Sequence, residues 1–157
     1  MGENAVPERL DIDGGVVVGF DGSETSQEAL RWAAREARQY GCPLHVVRAW
    51  SILTAPRPKN VKLEVTPTLQ QYEAAVRVET EQLLAKVLGD DPGVPVRLHL
   101  VHAPAAQTLI DASGRADLLV VGSRGRGGFA GLLLGSVSEQ CVRYARCPVV
   151  VVRPRAR

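Results

Sequence analysis

The segment 121–138, VGSRGRGGFAGLLLGSVS, concentrates the residues whose types and spacing suit chemistry. Gly122, Gly125, Gly127, Gly128, Gly131 and Gly135 fall within fourteen positions. Glycine permits positive φ and lets a ligand approach the main chain closely. The segment follows an apolar run and precedes a helical pattern. It therefore directs the free N–H groups of Ser136, Val137 and Ser138, backed by the positive helix end, at one spot. The hydroxyls of Ser136 and Ser138 add donors, and Arg124 and Arg126 add positive charge. Such a site takes an anion, and phosphate fits it best. Gly135 is expected to hold a backbone conformation that favours glycine.

Two familiar phosphate loops do not match. A Walker loop needs Gly-Lys-Ser/Thr, and here Ser136 follows Gly135 directly. The dinucleotide fingerprint belongs after the first strand, where this chain has Gly19-Phe20-Asp21-Gly22-Ser23. Asp21 has two readings there: a turn or cap residue, or a polar contact to the ligand, direct or through a divalent ion. Of the histidines, His45 should pack within an apolar strand, His99 should be solvated, and His102 is the one placed to approach a ligand. No nucleophile–base pair or carboxylate pair is legible, and no Cys/His spacing suggests a metal site. A site rich in N–H donors and poor in bases holds a triphosphate well and cleaves it slowly, so no catalytic residue is assigned.

The elements that must position this loop alternate strand with helix. Gly14–Phe20, Leu44–Trp50, Val94–Val101, Leu118–Val121 and Pro148–Val152 read as strands. Between them, Ser23 caps a helix with Leu30, Ala33, Ala34 and Ala37 on one face, stopped by Gly41. Pro67 opens a long helix to about Leu88, Pro104 a short one to about Ala112, and Ser136 caps the last, to about Tyr144. Residues 51–66 read as a long irregular loop. Five strands and four helices imply an α/β fold, a single-domain open sheet of mostly parallel strands with helices on both faces. Ligands in such sheets bind at the strands' carboxyl ends.

The chain has 157 residues, 45% hydrophobic and 23% charged, which suits one globular domain. Aromatics make up 4%, too few for a stacking platform, and a formal net charge of +2 is too small to argue for nucleic acid. Cys42, Cys141 and Cys147 lie in apolar sequence and read as buried small residues. No signal peptide or membrane span is legible, so a cytoplasmic protein with no nucleic-acid or membrane partner is expected.

Gly122-x2-Gly125-x9-Gly135-Ser136 resembles the ATP-binding signature of the universal stress protein family. VVVGFDGSETSQEALRWA, LHVVRAW and GSVSEQCVRYARCPVVVVR resemble the family's first strand and helix, second strand, and last helix and strand. The resemblance covers about 14–153, with 1–13 expected as a flexible tail and 154–157 as a basic tail. It implies an adenine-nucleotide α-hydrolase-like sheet in the order 3-2-1-4-5 and a cytoplasmic, ATP-binding, stress-response or signalling protein. It places Gly19, Asp21 and Val46 against adenosine, and Val121, Gly122, Gly125, Gly135, Ser136, Val137 and Ser138 around ribose and phosphates. Mg²⁺ or Mn²⁺ would accompany the phosphates. Some ATP-binding members carry proline where this chain has Gly19, which changes an adenine-side contact. A slow ATPase or another adenine-nucleotide-transforming enzyme is the alternative. Val149, Val150, Val151 and Val152 form an apolar last strand at the sheet edge, which invites pairing with a second copy. The resemblance likewise points to a homodimer.

Overall fold

The computed structural model describes residues 10–125 and 134–155. The strands are β1 (Val16–Gly19), β2 (Leu44–Ala49), β3 (Val96–Val101), β4 (Leu118–Gly122) and β5 (Val149–Val152). The helices are α1 (Glu24–Tyr40), α2 (Leu69–Leu88), α3 (Ala105–Ser113) and α4 (Ser136–Tyr144). All strand pairs are parallel, in the order β3-β2-β1-β4-β5.

Strand side chains alternate between two cores. Val16, Val18, Leu44 and Val46 face α1, whose Ala29, Leu30, Ala33, Ala34 and Ala37 form its buried stripe. Val17, Val47, Leu119 and Val121 face the other way, toward Leu109 and Ala112 of α3 and Cys141 of α4. Each fully buried Val or Leu contributes about 1.5–3 kcal/mol of transfer free energy. The alanine stripe lets α1 lie close to the sheet without leaving a cavity.

Local signals set the helix ends. Ser23 Oγ accepts from Ser26 N–H at 3.2 Å, and Gly41 closes α1 at φ 64°, a left-handed conformation suited to glycine. α2 starts two residues later than Pro67. Thr68 is its cap, in a capping box where Gln71 N–H donates to Thr68 Oγ1 and Thr68 N–H to Gln71 Oε1.

Three expectations need correction. Within 1–13, expected as a flexible tail, the described residues 10–13 join the packed body, with Ile12 2% exposed. His99 is half-buried, and His45 Nδ1 lies 2.9 Å from its Nε2. Burial is the main cause that lowers both pKa values; at His45 the neighbouring His99 and then Arg97 add to it while Asp11 opposes it, and at His99 Asp11 opposes it and Arg97 adds to it. His102 stacks on Trp50 at a centroid distance of 4.6 Å and does not line the cleft described next.

The sequence reading missed Arg48. It is buried on the α2 side of β2, where it reaches Thr80 Oγ1 and Glu79 Oε2, each at 3.3 Å. A buried guanidinium requires such partners to offset its desolvation. The 51–66 loop is pinned by Arg57, which donates to the carbonyls of Lys62 at 2.8 Å and Val65 at 2.9 Å. It borders α2 and does not reach the cleft at the strand ends.

Candidate functional site

β1, β2 and β4 end side by side, and a cleft of about 200 Å³ opens beyond their carboxyl ends. It lies on the side of the sheet that Val47 and Val121 face. Val47 and Ala49 of β2, Leu109 of α3 and Val121 of β4 give it an apolar wall. Polar groups meet that wall from two loops.

The first is the turn from β1 into α1. Gly19 and Asp21 both line the cleft. Asp21 Oδ1 accepts from Ser23 N–H at 2.9 Å, so the turn reading holds for this oxygen. A Cβ built on Gly125 would stand 2.8 Å from Asp21 Oδ2, so Asp21 also joins this turn to the glycine loop. At Gly19 a Cβ would meet Leu109 Cδ1 at 2.8 Å, so glycine lets Leu109 form part of the wall.

The second is the segment from β4 into α4. Ser123 is a buried neck: its N–H donates to Val152 O at 2.8 Å, and its carbonyl accepts from Gly135 N–H at 2.7 Å. That pair closes the base of the loop. Gly122, Arg124, Gly125, Gly135, Ser136, Val137 and Ser138 all line the cleft. Gly122 is required by packing, since a Cβ there would lie 2.7 Å from Thr25 Cγ2 and 3.2 Å from the Thr25 carbonyl group. Arg126 lies outside the described residues, as do Gly127, Gly128 and Gly131.

Details of this segment differ from the sequence reading. Gly135, not Ser136, is the N-cap of α4, and no side chain caps it. Its φ of −72° and ψ of 167° are open to any residue, and a Cβ would find only ordinary contacts from 3.5 Å. Gly135 is therefore not demanded by the backbone. The Ser138 hydroxyl is spent inside the protein, donating to the carbonyls of Ser123 at 3.1 Å and Gly135 at 3.0 Å. Ser136 is exposed, and its Oγ accepts from Gln140 Nε2 at 3.2 Å. The main-chain N–H groups of the first turn have no helical acceptor and remain the natural anion donors.

Besides His102, Val46 is the described residue among those named that does not line the cleft. Its side chain is fully buried against α1, on the opposite face of the sheet. The neighbours Val47 and Ala49 take its place in the cleft. Strand alternation contains this information, but sequence alone does not tell which parity faces the ligand. Phe20, Ser26, Ala105 and Leu109 also line the cleft and were not anticipated.

Among the described residues, no group of three or more His, Cys, Asp or Glu is placed to hold a metal ion. None of the histidines lines the cleft. Cys141 lies in the α4-side core, where burial, with Cys147 nearby, pushes its thiol pKa up to about 11. A thiol held protonated in this way is a packing group and not a nucleophile. No described helix is long and apolar enough to cross a membrane.

A parallel sheet in this order, with a cleft where strands from its two halves diverge, defines the α/β proteins that hold ligands at the topological switch point. The profile of the Universal stress protein family matches residues 15–153, and the chain belongs to that family. A universal stress protein of Mycolicibacterium smegmatis is 37% identical over 139 residues, covering 88% of this chain and 47% of its own length. One from Mycobacterium tuberculosis is 39% identical with the same coverage. The chain thus spans about half the length of the curated relatives it matches. Among solved structures, UspA of Lactobacillus plantarum superposes with a TM-score of 0.67 at 19% identity, over 90% of this chain and 98% of its own. A universal stress protein solved in complex with cAMP is 27% identical, with a TM-score of 0.59 over 90% of this chain and 96% of its own.

Proposed function

We propose that this domain binds an adenine nucleotide, ATP foremost, in the cleft at the strand ends and acts through its nucleotide state as a stress-response or signalling protein. The observation that carries the proposal is the meeting, in one cleft, of an apolar wall with the uncapped N-terminus of α4. A flat apolar base suits Val47, Ala49 and Leu109, and a phosphate chain suits the N–H groups beyond Gly135 and the exposed Arg124. The relative solved with cAMP supports an adenine nucleotide as the ligand class. Gly122 and Gly125 fit such a ligand, because they keep the loop close to Thr25 and Asp21 without side chains of their own. Asp21, on the cleft rim, is the group to approach Mg²⁺ or Mn²⁺ carried by the phosphates.

The reading includes binding without efficient turnover. Among the described residues no histidine lines the cleft, and the one carboxylate on its lining is Asp21, which accepts from Ser23 N–H. Hydrolysis well below about 10 s⁻¹, the median of dedicated enzymes, is expected. The test is mass spectrometry of nucleotide released from denatured purified protein, followed by calorimetric titration with ATP. Absence of binding at millimolar ATP overturns the proposal. Phosphate release at an ordinary enzymatic rate, abolished by a change in the 122–138 loop, favours the enzyme reading instead.

The same proposal holds the protein to be cytoplasmic and a homodimer through β5. Val149–Val152 is an edge strand with all four residues half-buried, leaving one row of main-chain groups for a partner strand. Sedimentation of the wild type as a monomer at tens of micromolar, or a dimer unaffected by both Val150→Asp and Val151→Asp, counts against it.

A further inference from the structure

We propose that a second cleft, across the outer surface of α1, is a docking site for an acidic protein segment that also carries an apolar side chain. The cleft has a volume of about 440 Å³ and lies between α1, the end of α2 and the chain leaving β5. It belongs to the α1 side of the sheet, whereas the strand-end cleft opens on the α3 side. The two share no lining residue.

Its composition sets it apart from the rest of a nearly neutral chain. Arg31, Arg35 and Arg38 stand at i, i+4 and i+7 on α1, forming one exposed row. Arg153 and Arg155 border the same cleft from the segment after β5. Against these five guanidiniums the lining offers, among the described residues, one carboxylate, Glu28, already shared between Arg31 at 2.7 Å and Arg155 at 3.6 Å. The rim is therefore strongly cationic. Guanidinium forks prefer paired oxygen acceptors, as on carboxylates or phosphates.

The floor decides between those two. Half-buried Trp32, Val87, Leu88 and Val152 form an apolar surface beneath the arginines. Inorganic polyphosphate has nothing to place there. A peptide does, since one apolar residue can cover Trp32 and Leu88 while neighbouring Glu or Asp side chains reach the rim. Arg153 and Arg155, two residues apart, match the roughly 7 Å spacing of alternate side chains on an extended strand. Recognition of acidic motifs by arginine clusters is a recurring mode of peptide binding.

The test uses the full chain and a fluorescein-labelled peptide in which one leucine is flanked by glutamates, read by anisotropy. Binding should weaken as salt rises toward about 0.15 M. Arg35→Glu with Arg153→Glu should weaken it roughly tenfold or more, while Arg143→Glu on α4 should leave it within about twofold. Replacing the peptide's leucine by serine should weaken it severalfold. ATP affinity of the Arg35→Glu/Arg153→Glu protein should match wild type, which separates this site from the nucleotide cleft. Equal binding of the leucine and serine peptides, or displacement of both by inorganic triphosphate at lower concentration, overturns the peptide reading in favour of a phosphate site. Equal effects of the Arg143 and Arg35/Arg153 reversals overturn the cleft altogether.

Discussion

Two helices begin beside the strand-end cleft, and their first turns are finished differently. α1 is closed from within: Ser23 Oγ accepts from Ser26 N–H at 3.2 Å, and Asp21 Oδ1 accepts from Ser23 N–H at 2.9 Å. Glu24 adds a negative charge to its first turn. α4 begins at a glycine with no side-chain cap, although its Ser138 hydroxyl donates to Gly135 O just as Ser26 donates to Ser23 O in α1. Both helix ends carry the same partial positive charge. Only the one whose donors are left open is suited to an external anion. A side-chain cap and a phosphate compete for the same N–H groups, so of the two helix starts α4 is the one the proposed nucleotide would use.

The largest effect should come from Gly122→Val. Its side chain would press on Thr25 and force α1 and the glycine loop apart. Overpacking of this kind costs about 1–3 kcal/mol, to be read by denaturant unfolding. Calorimetry should show ATP affinity lowered by about tenfold or more. Native affinity in a well-folded variant would mean that the spacing of the two loops does not shape the site.

Gly135→Asp sharpens the comparison most directly, because it gives α4 the cap that α1 already has. The backbone at Gly135 accepts the change, and stability should rise by a few tenths of a kcal/mol. ATP affinity should fall by about tenfold, near 1.4 kcal/mol, because the carboxylate occupies the donors and repels phosphate. Unchanged affinity would remove the α4 N-terminus from the site.

Ser23→Ala removes the cap of α1. It should cost about 1 kcal/mol of stability, while ATP affinity changes by less than about threefold. A larger loss of affinity than of stability would show that the α1 start also serves the ligand.

The smallest effect concerns pH. His45 and His99 have pKa values held below the usual 6.5 chiefly by burial. A lowered histidine pKa means that the unfolded chain binds protons more readily. Stability should therefore be full above about pH 6.5 and decline as pH falls from there toward the folded-state values. Melting temperature against pH should show this decline, and His99→Gln should flatten it. A profile identical in that variant would remove the pair as its source.

Much of this was legible in the chain. The order of elements followed from the apolar runs, the alanine face of α1, and the caps at Ser23 and Gly41, all of which are local properties. The spacing Gly122, Gly125, Gly135 marked the loop, because a strand followed by glycines and a helix leaves few other arrangements. Ten of the twelve proposed site residues line one cleft. The Val46 side chain faces α1 instead, because period-2 alternation gives two faces and no label for either. Arg126 lies outside the described residues.

The sequence by itself determined which segments become strands and helices and which loop carries open backbone donors, since these rest on contacts within a few residues. The tertiary structure alone decided the remaining features. The sheet order β3-β2-β1-β4-β5, which the family resemblance implied but no local signal contains, brought the ends of β1 and β4 together and so set Asp21 against Gly125. It paired His45 with His99, 54 positions away, and gathered Arg35 and Arg153 around Trp32. Such pairings depend on which strands lie side by side, a choice made by burying both faces of the whole sheet at once.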